Sequence, residues 1–92
     1  MDNFTLKLSV TATDDLDQFD DKVVRTILKK MAILKENPFP MGKLIQKIKG
    51  KKSIFYRLRV DKYLVFYSIE KSDVVILKVI GKKDADRFIK NL

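Results

Sequence analysis

Three runs of alternating residues, Ile54 to Val60, Tyr63 to Ile69 and Val74 to Ile80, constrain this chain more than any other feature. They are rich in β-branched and aromatic residues, are joined by two short polar turns, and are entered through Lys47-Ile48-Lys49-Gly50-Lys51-Lys52. Alternation of period two predicts a three-stranded antiparallel meander. In its first strand Ile54, Tyr56, Leu58 and Val60 share one face and Phe55, Arg57 and Arg59 share the other, because successive side chains point to opposite sides. One face can therefore pack on a core, while the other aligns two permanent cations beside an aromatic ring.

The remaining segments supply the cover for that core. Phe4 to Val10 alternates strictly and reads as a half-buried strand too far from the meander to be its hairpin neighbour. Thr13 is placed to cap a short helix holding Leu16 and Phe19, and Asp20 a longer one with an apolar stripe of Val24, Ile27, Leu28, Met31 and Leu34. Asn37-Pro38 stops the second helix. Lys43 to Ile48 reads as a turn or an edge piece, Gly81 breaks the last strand, and Asp84 opens a terminal helix reaching Lys90. A chain of 92 residues is enough for one core and not for two, so residues 1–92 are expected to form a single domain. The expected fold is a two-layer α+β domain of order β-α-α-β-β-β-α, a helical hairpin packed on a four-stranded, mostly antiparallel sheet. Strand one can take an edge or pair in parallel, and the sheet face away from the hairpin is expected to stay open.

Composition narrows the chemistry. The chain has no cysteine and no histidine, which removes thiolate and imidazole nucleophiles, bases and metal ligands together. No run of roughly 18 apolar residues could cross a bilayer, and Met1-Asp2-Asn3 lacks the pattern of a signal peptide, so a cytoplasmic location is expected. The net charge of +8 is lopsided: residues 1–40 carry six Lys/Arg against seven Asp/Glu, residues 41–92 fourteen against five. A positive field on the sheet half fits a polyanion or an acidic protein partner, and fits equally a solvated lysine-rich surface.

Leu34-Lys35-Glu36-Asn37-Pro38 at a helix end, then Lys47-Ile48-Lys49-Gly50, Tyr56-Arg57-Leu58-Arg59-Val60, Tyr63-Leu64-Val65-Phe66-Tyr67 and Val74 to Ile80, together resemble the RelE/ParE superfamily of bacterial and archaeal toxins. The resemblance covers nearly the whole chain. It implies a toxin of a type II toxin–antitoxin system and, for the RelE branch, an endoribonuclease that cuts messenger RNA in the ribosomal A site without a metal or other cofactor. There the ribose 2′-hydroxyl attacks the adjacent phosphate, leaving a 2′,3′-cyclic phosphate and a 5′-hydroxyl. Carried over by position, the family's basic pair falls on Arg57 and Arg59 and its basic residue after the last strand on Lys83, or on Lys82 with a shift of one. The family's third-strand arginine falls on Leu64, and its terminal tyrosine has no counterpart, Phe88 and Ile89 standing in its neighbourhood.

Such a reaction needs the attacking oxygen deprotonated, the phosphate charge stabilised and the leaving oxygen protonated. Guanidinium forks suit the second task, so Arg57 and Arg59 are the candidate charge stabilisers. Lys83 is the candidate proton donor, and arginine, which holds its proton at any ordinary pH, is a poor base. Lys49, Lys51, Lys52, Lys82 and Arg87 are candidate phosphate contacts, with Phe55 and Phe88 as candidate stacking rings. Each has a plainer alternative: Arg57 and Arg59 in cross-strand pairs with Glu70 or Asp73, the lysines merely solvated, Phe55 lying under the terminal helix. Tyr63 and Tyr67 share a face with Val65 and Ile69 and are expected in the core. The resemblance implies a small acidic antitoxin, the ribosome and messenger RNA as partners, no membrane, and a toxin that is monomeric alone. A ParE-like poison of DNA gyrase and a degenerate homologue that only binds antitoxin are the alternative functions.

Overall fold

Residues 3–92 are described by a computed structural model; the signal-peptide expectation rests partly on Met1 and Asp2, outside that range. The elements run β1 (Thr5–Leu8), α1 (Val10–Asp17), α2 (Asp21–Met31), a 3₁₀ turn (Ala32–Lys35), β2 (Ile45–Lys49), β3 (Ile54–Val60), β4 (Tyr63–Glu70), β5 (Asp73–Gly81), a second 3₁₀ turn (Lys82–Asp84) and α3 (Ala85–Lys90). The strands form one mixed sheet in the order β1-β5-β4-β3-β2, with β1 parallel to β5 and every other pair antiparallel. The meander lies where its alternation placed it. Strand one both sits at an edge and pairs in parallel, as a strand followed by a helical crossover can.

Two expectations need correction. The sheet has five strands rather than four, because Ile45–Lys49 pairs with β3 from Ile45↔Leu58 to Lys49↔Ile54. The segment is short and has two polar residues at its centre, so propensity alone leaves it undecided, and Ile45, wholly buried, anchors it. The first helix is capped by Ser9 rather than Thr13, and it begins inside the run read as strand. Ser9 explains both shifts: its Oγ accepts from the Ala12 N–H at 3.0 Å and donates to the Leu77 carbonyl at 3.2 Å, while its N–H donates to the Ile76 carbonyl. One side chain thus ends the strand, starts the helix and ties both to β5.

The α1–α2 hairpin covers one sheet face. Ala12, Leu16, Ile27, Met31 and Leu34 meet Leu58, Val60, Val65, Tyr67, Val74, Ile76 and Val79 in the main core. Two members of the expected stripe fall outside it: Leu28 is exposed, and Val23 rather than Val24 packs on the core. Beyond the end of β1, α1 takes over the edge of β5. The Asp15 carboxylate accepts from the Val79 N–H at 2.9 Å and pairs with Lys78 Nζ at 2.9 Å, next to the register shift opposite Phe66 and Tyr67. A polar side chain there satisfies an edge N–H that no strand reaches.

Tyr67 is buried, stacked on Tyr56 at 5.6 Å, and its hydroxyl donates to the Pro38 carbonyl at 2.7 Å. Burial, with a smaller contribution from Tyr56, holds its phenol well above the ordinary value of about 10. The folded state therefore favours the neutral phenol, so this contribution to stability is complete below pH ~10 and is lost as the pH climbs toward the raised folded value. Tyr67→Phe is expected to lower stability by about 1–2 kcal/mol at neutral pH, by leaving a buried carbonyl without its donor. Denaturant melts should also show a shallower loss above pH ~10 in the variant than in the wild type.

Candidate functional site

The face away from the hairpin is not left open, and this is the main correction to the sequence reading. Leu64, Phe66 and Ala85 form a second buried cluster, with Ile48, Ile80, Phe88 and Ile89 packed on it. The terminal helix docks there through Ala85, Phe88 and Ile89, and the Phe66 and Phe88 rings lie 4.8 Å apart. A six-residue helix has little stability alone, so this apolar contact is what orders it. The apolar Leu64, where the resemblance places an arginine, is explained by the same packing: it is part of the floor beneath the helix.

Docking of α3 divides the candidate residues into two groups. At its start, Arg59, Asp61, Lys62, Tyr63, Gly81, Lys82, Lys83 and Asp86 line an open hollow of about 780 Å³. One wall is the β3–β4 turn and the other is the end of β5 running into α3. The pairing of Tyr63 with Gly81 and a hydrogen bond from the Lys82 N–H to the Lys62 carbonyl at 2.8 Å fix the two walls together. Four cations and two carboxylates line this space, two cations and one carboxylate on each wall. Arg59, Lys82 and Lys83 are exposed, and among the described residues none of the four cations is in an ion pair.

Arg57 has a different fate. Its strand position lies between Gln46 and Phe66; its Nη2 donates to Gln46 Oε1 at 2.6 Å, and its Nε is buried without a partner. Neither expected cross-strand ion pair forms, since Asp73 pairs with Lys7 at 2.9 Å and Glu70 is in no ion pair among the described residues. Alternation put both arginines on one face correctly, but it carries no information on how far along the strand a helix lies over that face.

At the other end of α3, Lys51, Lys52, Ser53, Phe55, Asn91 and Leu92 line a separate depression of about 390 Å³. The Phe55 ring is half-buried against Gly50, where a Cβ would come within 2.6 Å of it, so glycine is what lets the ring seat on the loop. Lys49 and Arg87 are exposed, whereas Phe88 has its ring committed to the second cluster. The fold therefore brings Arg59, Lys82 and Lys83 together and leaves Lys51, Lys52 and Phe55 at the far end of the terminal helix. Asp61, Lys62 and Asp86 were missed as members of the hollow. Asp61 and Lys62 form the turn between β3 and β4, which begins two residues past the candidate Arg59, and that proximity was the available signal.

The hollow can hold an anion: one guanidinium fork and several ammonium groups converge on a space open to solvent. None of the described residues forms a cluster of three or more carboxylates suited to a metal ion, and no helix is long and apolar enough to cross a membrane.

Comparison with solved structures finds the same architecture among toxins. The chain superposes on the archaeal RelE–RelB complex from Pyrococcus horikoshii with a TM-score of 0.73 and 25% identity, over 87% of this chain and 96% of that one. The toxin–antitoxin complex RelBE2 from Mycobacterium tuberculosis gives 0.71 at 20% identity over 86% and 98%, and YafQ from E. coli 0.69 at 9% identity over 89% and 97%; these two share the fold. No curated protein matches the sequence. A family model described as the ParE toxin of type II toxin–antitoxin systems, parDE, matches residues 6–86. The chain belongs to that family of type II toxins, within the RelE/ParE superfamily.

Phe88→Ala is expected to cost about 1–3 kcal/mol, less than a fully buried Phe→Ala, and to release α3 before the main core melts. Hydrogen exchange should quicken across residues 85–90 while the amides of α2 stay protected.

Proposed function

We propose that this toxin cleaves messenger RNA on the ribosome without a metal ion, and that the hollow beside Arg59 is where the scissile phosphate is held. The observation that carries the reading is the convergence of Arg59, Lys82 and Lys83 on one open space in which, among the described residues, no cation is consumed by an ion pair. In the reaction, the 2′-hydroxyl attacks the adjacent phosphorus and the 5′-oxygen leaves. Arg59 offers two parallel N–H donors to the phosphate oxygens, where charge builds up as the new bond forms. Lys83 is positioned on the opposite wall to protonate the departing oxygen. Arg57 supports the strand through Gln46 and contributes charge from the edge of the hollow's neighbourhood rather than a direct grip. The ribosome supplies the rest, by holding the message with its sugar and phosphate in line.

A cognate antitoxin is the natural counterpart. The solved relatives from P. horikoshii and M. tuberculosis are complexes of toxin with antitoxin, and the surplus of cations in residues 41–92 suits an acidic, amphipathic segment that folds as it binds. Free of it, the toxin acts as a monomer in the cytoplasm, where its substrate lies.

A second reading, a gyrase poison without nuclease chemistry, is favoured by one specific feature: Leu64 and Phe88 occupy the second cluster instead of presenting polar groups. Purified protein added to translating ribosomes separates the two. The nuclease reading predicts messages cut within codons, with 2′,3′-cyclic phosphate and 5′-hydroxyl ends. Intact messages together with gyrase-dependent DNA breaks would establish the other. Arg59→Ala and Lys83→Ala are each expected to slow cleavage by ~10²–10³-fold, the usual cost of one charge-stabilising or proton-transferring group. Their melting curves should match the wild type within about 0.5 kcal/mol, because both side chains are exposed.

A further inference from the structure

The reaction just described lacks a group to deprotonate the 2′-hydroxyl, and the hollow contains one. Two carboxylates, Asp61 and Asp86, line it with the cations, and neither lies within ion-pair distance of a lysine or arginine among the described residues. An unpaired carboxylate in a cation-lined cavity keeps its lone pairs for an incoming donor. The position of the walls distinguishes the two. In a displacement at phosphorus the attacking and leaving oxygens stand roughly in line on opposite sides. A base and an acid serving them therefore belong on opposite walls.

Asp86 stands three residues after Lys83, on the same wall, at a spacing that makes side chains neighbours. Asp61 stands on the other wall, in the turn two residues beyond Arg59, and its backbone is left-handed with φ of 51°. Aspartate tolerates that conformation where most residues are strained. The bond from the Lys82 N–H to the Lys62 carbonyl holds this turn against the end of β5, so the Asp61 wall cannot drift from the Lys83 wall.

We infer that Asp61 is the general base of the toxin, a catalytic residue facing Lys83 across the phosphate held by Arg59; the inference rests on the nuclease reading above. The Asp61 carboxylate takes the proton of the 2′-hydroxyl as the O2′–P bond forms. The P–O5′ bond breaks, and the 5′-oxygen takes a proton from the Lys83 ammonium. The products are a 2′,3′-cyclic phosphate and a 5′-hydroxyl, and exchange with water returns the proton lost by Lys83 and removes the one gained by Asp61. Asp86 flanks the site without a part in the proton transfer.

The test is single-turnover cleavage of messenger RNA on programmed ribosomes between pH 6 and 8.5, with wild type, Asp61→Asn and Asp86→Asn. Asparagine also tolerates the left-handed turn, so the fold is expected to survive, and thermal melts check it. With Asp61 as base, hydroxide takes no part in the wild-type reaction, and the wild-type rate is expected to stay nearly flat across this range. Asp61→Asn should cut ~10²–10⁴-fold more slowly, and its residual rate should rise about tenfold per pH unit as hydroxide takes over the deprotonation. Asp86→Asn, which removes no base, should keep the wild-type dependence of rate on pH. A folded Asp61→Asn that cuts at the wild-type rate, or more slowly with the same flat profile, would overturn the assignment while leaving the nuclease reading intact. A folded wild type that cuts nothing would overturn both.

Discussion

Strand β4 has to be covered on both sides, and the rest of the molecule follows from that. Leu64, Val65, Phe66 and Tyr67 are four consecutive buried residues, so alternate side chains enter two different cores. The hairpin of α1 and α2 satisfies one of them. The other can be met only by the chain leaving β5, which must turn back over the sheet as α3. That return path is why Lys82 and Lys83 arrive beside the β3–β4 turn and why Arg59 faces them across a gap instead of a flat sheet. An apolar requirement in the centre of the sheet thereby assembles a charged hollow at its rim.

Much of this was legible before any coordinates. Period-two alternation located β3, β4 and β5 to within a residue at each end, and the apolar stripe located the helix but only part of its face: Ile27, Met31 and Leu34 enter the core, whereas Leu28 is exposed and Val23 takes the place expected of Val24. Alternation was also where the reading went astray. In β4 the alternation of Tyr63, Val65, Tyr67 and Ile69 describes only one face, and it leaves no cover for Leu64 and Phe66, which the second cluster buries. A strand apolar at every position from 63 to 67 is the signature of cover on both faces, and that signal was in the sequence. The Ser9 cap was less accessible, because Ser9 continues the alternation of the strand it ends; its role depends on the Ile76 and Leu77 carbonyls, 67 and 68 residues away.

The candidate site divides along the same line. Arg59 and Lys83 could be named from position on a strand and after it, since both lie at element ends where side chains reach solvent. Arg57, one strand step inward, could not be distinguished from Arg59 without knowing how far α3 extends, and its Nε is enclosed while Arg59 stays free. The carboxylates of the hollow were invisible for another reason. Asp61 reads as an ordinary turn residue and Asp86 as an ordinary helix-start residue, and only the docking of α3 places them in one cavity with cations.

The most direct measurement is a cryo-EM structure of the toxin on a ribosome whose A-site message carries a 2′-O-methyl group at the scissile nucleotide, which blocks attack. The account predicts the scissile phosphate between the β3–β4 turn and the start of α3, with Arg59 and Lys83 within hydrogen-bond reach of its oxygens. A message seated instead on the Lys51 and Lys52 depression, with the hollow facing solvent, would contradict it.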